Sequence, residues 1–129
     1  MKTRRATTLL IAVTLAAGLA SCGGKKTAAP TEVFKNFYTA ARNKDVAGLK
    51  SMMSRAALAD TEREAQEKGQ SLDEFLAARG RFLSPNLPEI RNEKVEGDKA
   101  SLEFRREGAA NWSTAWFVKE DGVWKVNFN

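Results

Sequence analysis

The chain has 129 residues, of which 43% are hydrophobic and 29% charged, and its formal net charge is +5. It contains one cysteine, three tryptophans and no histidine. Without histidine the chain lacks the commonest general base and metal ligand, and a single thiol can form neither an internal disulfide nor a thiolate metal site. The composition therefore argues against histidine-dependent enzymes and zinc proteins, and we expect no metal and no cofactor.

The first 21 residues have the pattern of an export signal. Lys2, Arg4 and Arg5 precede an uncharged apolar stretch that ends in Leu19-Ala20-Ser21-Cys22. A permanent membrane span is one alternative, but the apolar core, residues 9–19, is short for a span. An ordinary signal peptide with a free thiol is another, but it would place the only cysteine at the cleavage site by coincidence. We predict a signal peptide at residues 1–21.

Leu19-Ala20-Ser21-Cys22 resembles the lipobox of bacterial lipoproteins. The resemblance implies that cleavage leaves Cys22 as the first residue and that its thiol carries fatty chains such as palmitate, which anchor the protein stably in a membrane when two or more are present. Gly23, in place of the aspartate that retains some lipoproteins at the inner membrane, favours the outer membrane facing the periplasm. Residues 22–29 are then the acylated cysteine and a flexible tether, and residues 30–129 form one domain.

Cleavage would also change the charge of the chain. Residues 1–21 hold three of the 21 basic side chains and none of the 16 acidic ones, so the 108 remaining residues carry 18 basic and 16 acidic side chains. Binding to nucleic acid depends on a clustered excess of lysine and arginine. We therefore expect no nucleic-acid partner.

Residues 30–69 are predicted to form three helices. The first begins at an N-cap on Thr31 and stops at Asn43, and its apolar side chains recur at spacings of three and four residues. Asp45 has the chemistry of an N-cap for a short second helix. A third and very polar helix is expected at residues 56–68, with Gly69 ending it.

A fourth helix is predicted to come directly after Gly69. Ser71 and Glu74 match a capping box, in which each side chain satisfies a free backbone N–H of the other residue. This helix is expected to bury Leu72, Phe75, Leu76 and, at its end, Phe82. Residues 84–88 contain two prolines and cannot continue a helix, so they are expected to link the helices to the second half of the domain.

Four strands are predicted after this link, at residues 90–96, 100–105, 112–119 and 123–128. Apolar and polar residues alternate most clearly in the second, where Ala100, Leu102 and Phe104 share one face. Helices followed by consecutive antiparallel strands predict an α+β fold, with N-terminal helices packed on one face of a curved four-stranded sheet.

The turn between the last two strands decides which residues share a face. A two-residue turn at Asp121-Gly122 pairs Phe117 with Val126, whereas a three-residue loop pairs Trp116 with Val126. The longer loop gathers more apolar area on one face, so we predict it, with Trp112, Trp116, Val118, Trp124, Val126 and Phe128 inside. The outer face would then hold Lys99, Glu103, Arg105, Phe117, Lys119 and Lys125.

Four segments carry a resemblance to a known superfamily: residues 31–42, 44–49, 95–100 and 119–126. In them the chain resembles the nuclear transport factor 2-like proteins, above all the small exported bacterial lipoproteins of unknown function, some of which are described as lumazine-binding. The resemblance implies a cone-shaped fold of helices against a curved sheet, often enclosing a pocket. Its motifs are turns and core positions, so it implies no activity.

Three aromatic residues are candidates for ligand binding. Tyr38 lies on the apolar face of the first helix, where it is either a core tyrosine whose hydroxyl reaches the rim or a ligand contact. Trp112 and Trp116 either fill the core or line a cavity, since ligand pockets are apolar with few polar groups. No catalytic residue is predicted, because the acidic side chains fall mostly on polar, exposed faces.

We therefore predict a non-enzymatic, membrane-anchored envelope lipoprotein that binds a small apolar ligand or a protein through the cone pocket or the outer sheet face. A cone-pocket isomerase or lyase is one alternative, and it would require an inward-facing carboxylate such as Asp60, Glu62 or Glu103 with a raised pKa. The other is an accessory subunit that docks its outer sheet face, near Phe117, on an envelope assembly or on a second copy of itself.

Overall fold

A computed structural model describes residues 27–128 of the chain. The predicted signal peptide, Cys22 and most of the tether lie outside the described residues. Within residues 27–128, no helix combines the length and apolar character needed to cross a membrane. The end of the predicted tether contacts the domain, because Ala28 is half-buried and packs against the core.

Four helices form the first half of the domain: α1 (Pro30–Arg42), α2 (Val46–Met52), α3 (Arg55–Glu67) and α4 (Leu72–Arg79), which continues into a 3₁₀ turn (Gly80–Phe82). The caps predicted for α2 and α4 are confirmed. Asp45 Oδ1 accepts a hydrogen bond from Gly48 N at 3.0 Å. Ser71 and Glu74 form the reciprocal capping box, with Glu74 N donating to Ser71 Oγ at 3.2 Å.

The cap of α1 differs from the prediction. The helix begins one residue before Thr31, at Pro30, which suits the first helical position because proline has no N–H to leave free. Thr31 is therefore inside the helix, and its backbone N–H donates to the carboxylate of Glu93 at 2.8 Å. This cap comes from a residue 62 positions away, on the first strand.

The second half is a meander of four antiparallel strands in the order β1 (Glu89–Glu96), β2 (Lys99–Arg105), β3 (Ser113–Glu120) and β4 (Val123–Asn127). The helices pack on one face of this sheet, so the predicted α+β fold is confirmed. Strand β1 is irregular between Arg91 and Lys94, where Asn92 adopts a positive φ of 54°. This bulge turns Glu93 to the start of α1.

The predicted register of the last hairpin is wrong. Phe117 pairs with Val126 and Lys119 with Trp124, across a two-residue Asp121-Gly122 turn. Asp121 and Gly122 both have positive φ, of 51° and 77°, which is the turn whose twist matches that of the flanking strands. Phe117 is consequently buried at 1% exposure, whereas Trp116 is 43% exposed.

Two buried clusters form the core. One joins α1 to the sheet, and its buried members are Val33, Phe34, Ala100, Leu102, Phe117, Trp124 and Val126. The other joins the helices, and its buried members are Ala40, Ala41, Leu49, Met53, Ala57 and Leu76. Phe37 and Phe128 pack against both clusters while staying half-buried. They therefore mark the place where the two parts of the core meet.

The polar helix α3 enters the core through small residues. Its buried side chains are Ala57, Thr61 and Ala65, spaced by four, and the Thr61 hydroxyl donates to Ala57 O at 2.7 Å. The prediction that α4 buries Phe82 is wrong. Phe82 is 92% exposed and is the last residue of the 3₁₀ turn that follows α4, so it lies outside that helix.

Candidate functional site

A cavity of about 600 Å³ lies where the two core clusters meet. Its volume falls within the roughly 300–1,000 Å³ usual for small-molecule sites. Most of its wall is aromatic or aliphatic, and six of these side chains are Phe34, Phe37, Leu49, Leu76, Phe104 and Phe128. An apolar wall of this size suits a small molecule that is itself largely apolar.

The cavity borders the end of strand β4. Asn127, the last residue of β4, pairs with Trp116. Among the described residues, positions 113–115 of β3 therefore have no partner on β4. Thr114 and Ala115, from this part of β3, line the cavity together with Trp116 and Asn127. The opposite wall is α1, which presents Phe34, one of the residues that share a helical face at spacings of three and four.

Tyr38 is buried in the cavity wall, at 6% exposure. Its hydroxyl donates a hydrogen bond to the backbone oxygen of Ser84 at 3.1 Å, which ties α1 to the link before the sheet. The hydroxyl proton is thus already committed within the protein, while the ring forms part of the apolar surface. This geometry fits the core tyrosine whose hydroxyl reaches the rim, one of the two interpretations left open by the sequence.

Asn127 places a polar group at the end of β4, on the cavity wall. Its Oδ1 accepts a hydrogen bond from Ser54 Oγ at 2.6 Å, and the same serine caps α3 by accepting from Ala57 N at 3.0 Å. Ser54 N donates to Val126 O at 2.8 Å, which completes the join between α3 and β4. The Asn127 side chain thus fixes the end of β4 to the start of α3.

Two arginines line the cavity, and neither was predicted as a site residue. Arg79, at the end of α4, has its guanidinium carbon 5.0 Å from the Phe75 ring centre and 5.4 Å from that of Phe128. Arg106 follows β2, and its guanidinium carbon is 5.9 Å from the centre of the Phe104 ring. The rest of the described cavity lining contains no aspartate or glutamate.

Gly80, which follows Arg79, lies against the backbone of α1. A Cβ atom at this position would lie 1.8 Å from the backbone oxygen of Ala41 on α1, which no side chain could tolerate. Glycine is therefore required for the end of α4 to approach α1 this closely. Nothing in the sequence pattern indicates this contact, because Gly80 has an ordinary negative φ of −74° and is not needed for a turn.

The acidic residues considered for catalysis lie outside the cavity. Asp60 and Glu62 are exposed on α3, and Asp60 pairs with Arg63 at 2.6 Å. Glu103 lies on the outer sheet face, where hydrogen bonds from Asn92 and Arg91 hold its pKa below the usual value. A lowered pKa is the opposite of what a general base in a dry pocket would show.

Trp112 is not among the residues that line the cavity. It precedes β3 and is stacked against two guanidinium groups of the outer sheet face, with the guanidinium carbons of Arg91 and Arg105 3.8 Å and 4.9 Å from the ring centre. Glu103 and Glu89 pair with these arginines at 3.3 Å and 2.7 Å. Tyr38 thus lines the cavity, Trp116 borders it from β3 with its side chain on the outer sheet face, and Trp112 belongs to a surface cluster.

The outer sheet face also differs from the prediction around Phe117. Residues directly opposite each other share a face, and Val118 is opposite both Lys99 and Lys125, while Trp116 is opposite Ser101. Trp116 and Val118 therefore lie on the outer face, where Phe117 and Lys119 had been expected. A second copy that docked on this face would meet Trp116 and not the buried Phe117.

No protein-family model and no curated protein matches the chain. Its structure is similar to the crystal structure of a Campylobacter jejuni protein described as a "putative NTF2-like transpeptidase". The TM-score is 0.54 and the sequence identity 17%, and the match covers 79% of this chain and 100% of the other. The fold is nuclear transport factor 2-like. At this identity the likeness shows the fold alone.

Proposed function

We propose that the chain is a lipid-anchored protein of the bacterial cell envelope that binds a small, largely apolar ligand in its cavity and does not transform it chemically. The observation that carries the binding function is the cavity itself, about 600 Å³ in volume with a mostly aromatic and aliphatic wall. Release of water from apolar surface is the main favourable term in binding of this kind.

The chemistry of the wall supports binding without turnover. The described lining residues include neither a carboxylate nor a thiol, and the Tyr38 hydroxyl donates a hydrogen bond to Ser84 O. The acids considered as alternatives, Asp60, Glu62 and Glu103, lie elsewhere on the domain. The isomerase or lyase alternative would need one of them at the cavity.

The anchor rests on the sequence around Cys22. Because Ala28 already packs on the domain, only a short stretch separates it from the acylated cysteine. Six residues span at most roughly 20–22 Å when fully extended. Such a tether would hold the cavity close to the membrane surface, where apolar molecules are concentrated.

Binding can be tested with N-phenylnaphthylamine, an uncharged dye that fluoresces in apolar sites. We expect saturable binding to the purified chain carrying Cys22→Ala, which avoids dye uptake by the lipid anchor. Ala115→Phe, which places a ring in the cavity, should weaken binding at least about tenfold, because the added ring occupies the space that the dye needs. The control is Ala110→Phe, which adds the same ring at an exposed position that does not line the cavity.

Equal dye binding by the Ala115→Phe and Ala110→Phe variants, each with an unchanged circular dichroism spectrum, would contradict a ligand site in this cavity. Anchoring is tested separately by metabolic labelling with palmitate in a bacterial host. The unaltered chain should take up label and the Cys22→Ala variant should not, because no other cysteine can accept the lipid. Label on the alanine variant would refute the lipoprotein assignment.

A further inference from the structure

We propose that the ligand is an amphipathic anion, with an apolar body in the cavity and a carboxylate, phosphate or sulfonate group bound by Arg106 and Arg79. This inference rests on the proposed binding function and specifies its ligand class. It is carried by the charges of the cavity wall, which holds two guanidinium groups and, among the described lining residues, no carboxylate.

Arg106 is the stronger of the two anchors. Phe104 lies on the helix side of β2 and Arg105 on the outer side, and Arg106, the first residue after the strand, lines the cavity with its guanidinium group near the Phe104 ring. Arg105 is paired with Glu89 at 2.7 Å, whereas Arg106 forms no ion pair with any residue in the described part of the chain. A guanidinium group with free donors beside an apolar cavity is suited to hold the charged end of a ligand.

The nearest acid in sequence does not neutralise Arg106. The Glu107 carboxylate accepts hydrogen bonds from Ser84 Oγ and, at 3.1 Å, from Asn86 Nδ2. These bonds, that of Ser84 first, hold the pKa of Glu107 below its ordinary value. Glu107 is thus hydrogen-bonded to the link between α4 and β1.

Arg79 adds a second positive charge at the cavity. Its Nη2 is 3.4 Å from Glu64 Oε2, but Glu64 is shared with Lys68, whose Nζ lies at the shorter distance of 2.9 Å. The guanidinium group also lies over the rings of Phe75 and Phe128, which holds it beside the cavity. The pairing with Glu64 therefore leaves donors of Arg79 available.

The remaining polar groups of the wall are compatible with an anion. Thr114 and Asn127, the other polar lining residues, are directly opposite Glu103 and Trp116 of the outer sheet face, and both are uncharged, so neither adds a negative group that would repel an anion. Phe82 also lines the cavity and is 92% exposed, so it adds apolar surface that faces solvent next to the cavity. A cationic ligand would meet two like charges at this site without a carboxylate to bind.

The test compares two dyes that share one skeleton, anilinonaphthalene sulfonate and the uncharged N-phenylnaphthylamine. Both are titrated into the full chain carrying Cys22→Ala, and signal that persists in the Ala115→Phe variant is subtracted. We expect the sulfonate to bind more tightly than the uncharged dye, by an amount that falls as salt is added. The matched variants are Arg106→Gln and Arg105→Gln, which remove the same charge one residue apart.

Arg106→Gln should weaken binding of the sulfonate about three- to tenfold, the effect of one charge-assisted contact at an exposed side chain. The same substitution should leave binding of the uncharged dye unchanged, and Arg105→Gln should alter neither. Arg106→Lys keeps the charge and should restore part of the loss. Fluorescence titration gives the affinity of each variant for both dyes and so tests these expectations.

Three results would overturn the inference: no preference for the sulfonate, equal losses in the Arg106→Gln and Arg105→Gln variants, or equal losses for both dyes in Arg106→Gln. In each of these the uncharged dye still binds the unaltered cavity, and the proposed function survives with a neutral ligand. Failure of both dyes to bind in a manner sensitive to Ala115→Phe would remove the proposed function itself. The two failures are therefore distinguishable.

Discussion

Replacement of Phe117 and of Trp116 by alanine, each in turn, measures which hairpin register the chain adopts. The two residues are neighbours in β3 and lie on opposite faces of the sheet. Phe117 is 1% exposed and packs in the cluster between α1 and the sheet, whereas Trp116 is 43% exposed. The three-residue loop would exchange these environments, because a shift of one residue turns every side chain of the strand to the other face.

The structure predicts unequal losses of stability. Removal of a fully buried phenylalanine ring costs about 3–5 kcal/mol, which combines lost transfer free energy with an unfilled cavity. Trp116 keeps nearly half of its surface in water, so its replacement should cost no more than about 2 kcal/mol in spite of its larger ring. A domain of this size has a total free energy of unfolding of roughly 5–15 kcal/mol, so Phe117→Ala removes a large fraction of it.

Urea denaturation followed by circular dichroism provides the measurement. With a slope of about 1–3 kcal/mol per molar, Phe117→Ala should lower the midpoint by about 1–5 M, and Trp116→Ala by no more than about two-thirds as much. Equal midpoints, or a greater loss in Trp116→Ala, would refute the two-residue turn. A test of pairing through the outer face should therefore introduce a charge at Trp116. A charge at the buried Phe117 would unfold the core instead.

Two further predictions concern α4. Gly80→Ala should destabilise the domain by about 1–3 kcal/mol in the same urea experiment, because its methyl group would force the backbone of α4 away from Ala41; a change below about 0.5 kcal/mol would contradict the close approach. Glu74→Gln should make stability less dependent on pH, because hydrogen bonds from Ser71 lower the pKa of Glu74 below 4.5 in the folded chain. The stabilisation by the Glu74 carboxylate is fully present above pH 4.5, its ordinary pKa, and is lost as the pH falls through the lower pKa of the folded chain. Urea midpoints measured between about pH 3 and pH 7 should therefore fall less in the variant.

Features governed by neighbouring residues could be predicted from the sequence. The caps at Asp45 and Ser71 depend on side chains within three positions of the N–H groups that they satisfy, and both formed as expected. The alternation in β2 likewise needs only the strand itself. The cap of α1 could not be predicted from neighbouring residues, because it is supplied by Glu93, 62 positions away on a bulge in β1.

The hairpin register was predicted wrongly for a physical reason. Trp124 and Val126 lie on the helix side in either register, so the pattern of β4 could not distinguish the two, and the choice depended on β3 alone. The three-residue loop follows from the assumption that the face with the most aromatic area is the buried one. The backbone instead follows the two-residue turn at Asp121-Gly122, whose twist matches the strands, and leaves Trp116 at the surface.

The candidate site shows the same limit more sharply. Tyr38 was within reach of the sequence because a polar group on an apolar helical face stands out, but Arg106 and Gly80 carry no such mark. Arg106 stands among other charged residues and becomes distinctive only when β2 turns it toward the cavity. Gly80 has an ordinary backbone conformation and matters only because Ala41 O occupies the space that a side chain would need. The cavity is a gap between elements, and its charge is set by the side chains that happen to border that gap. Its binding preference therefore has to be deduced from the assembled fold, and the comparison of Arg106→Gln with Arg105→Gln is decisive because only the fold distinguishes those two arginines.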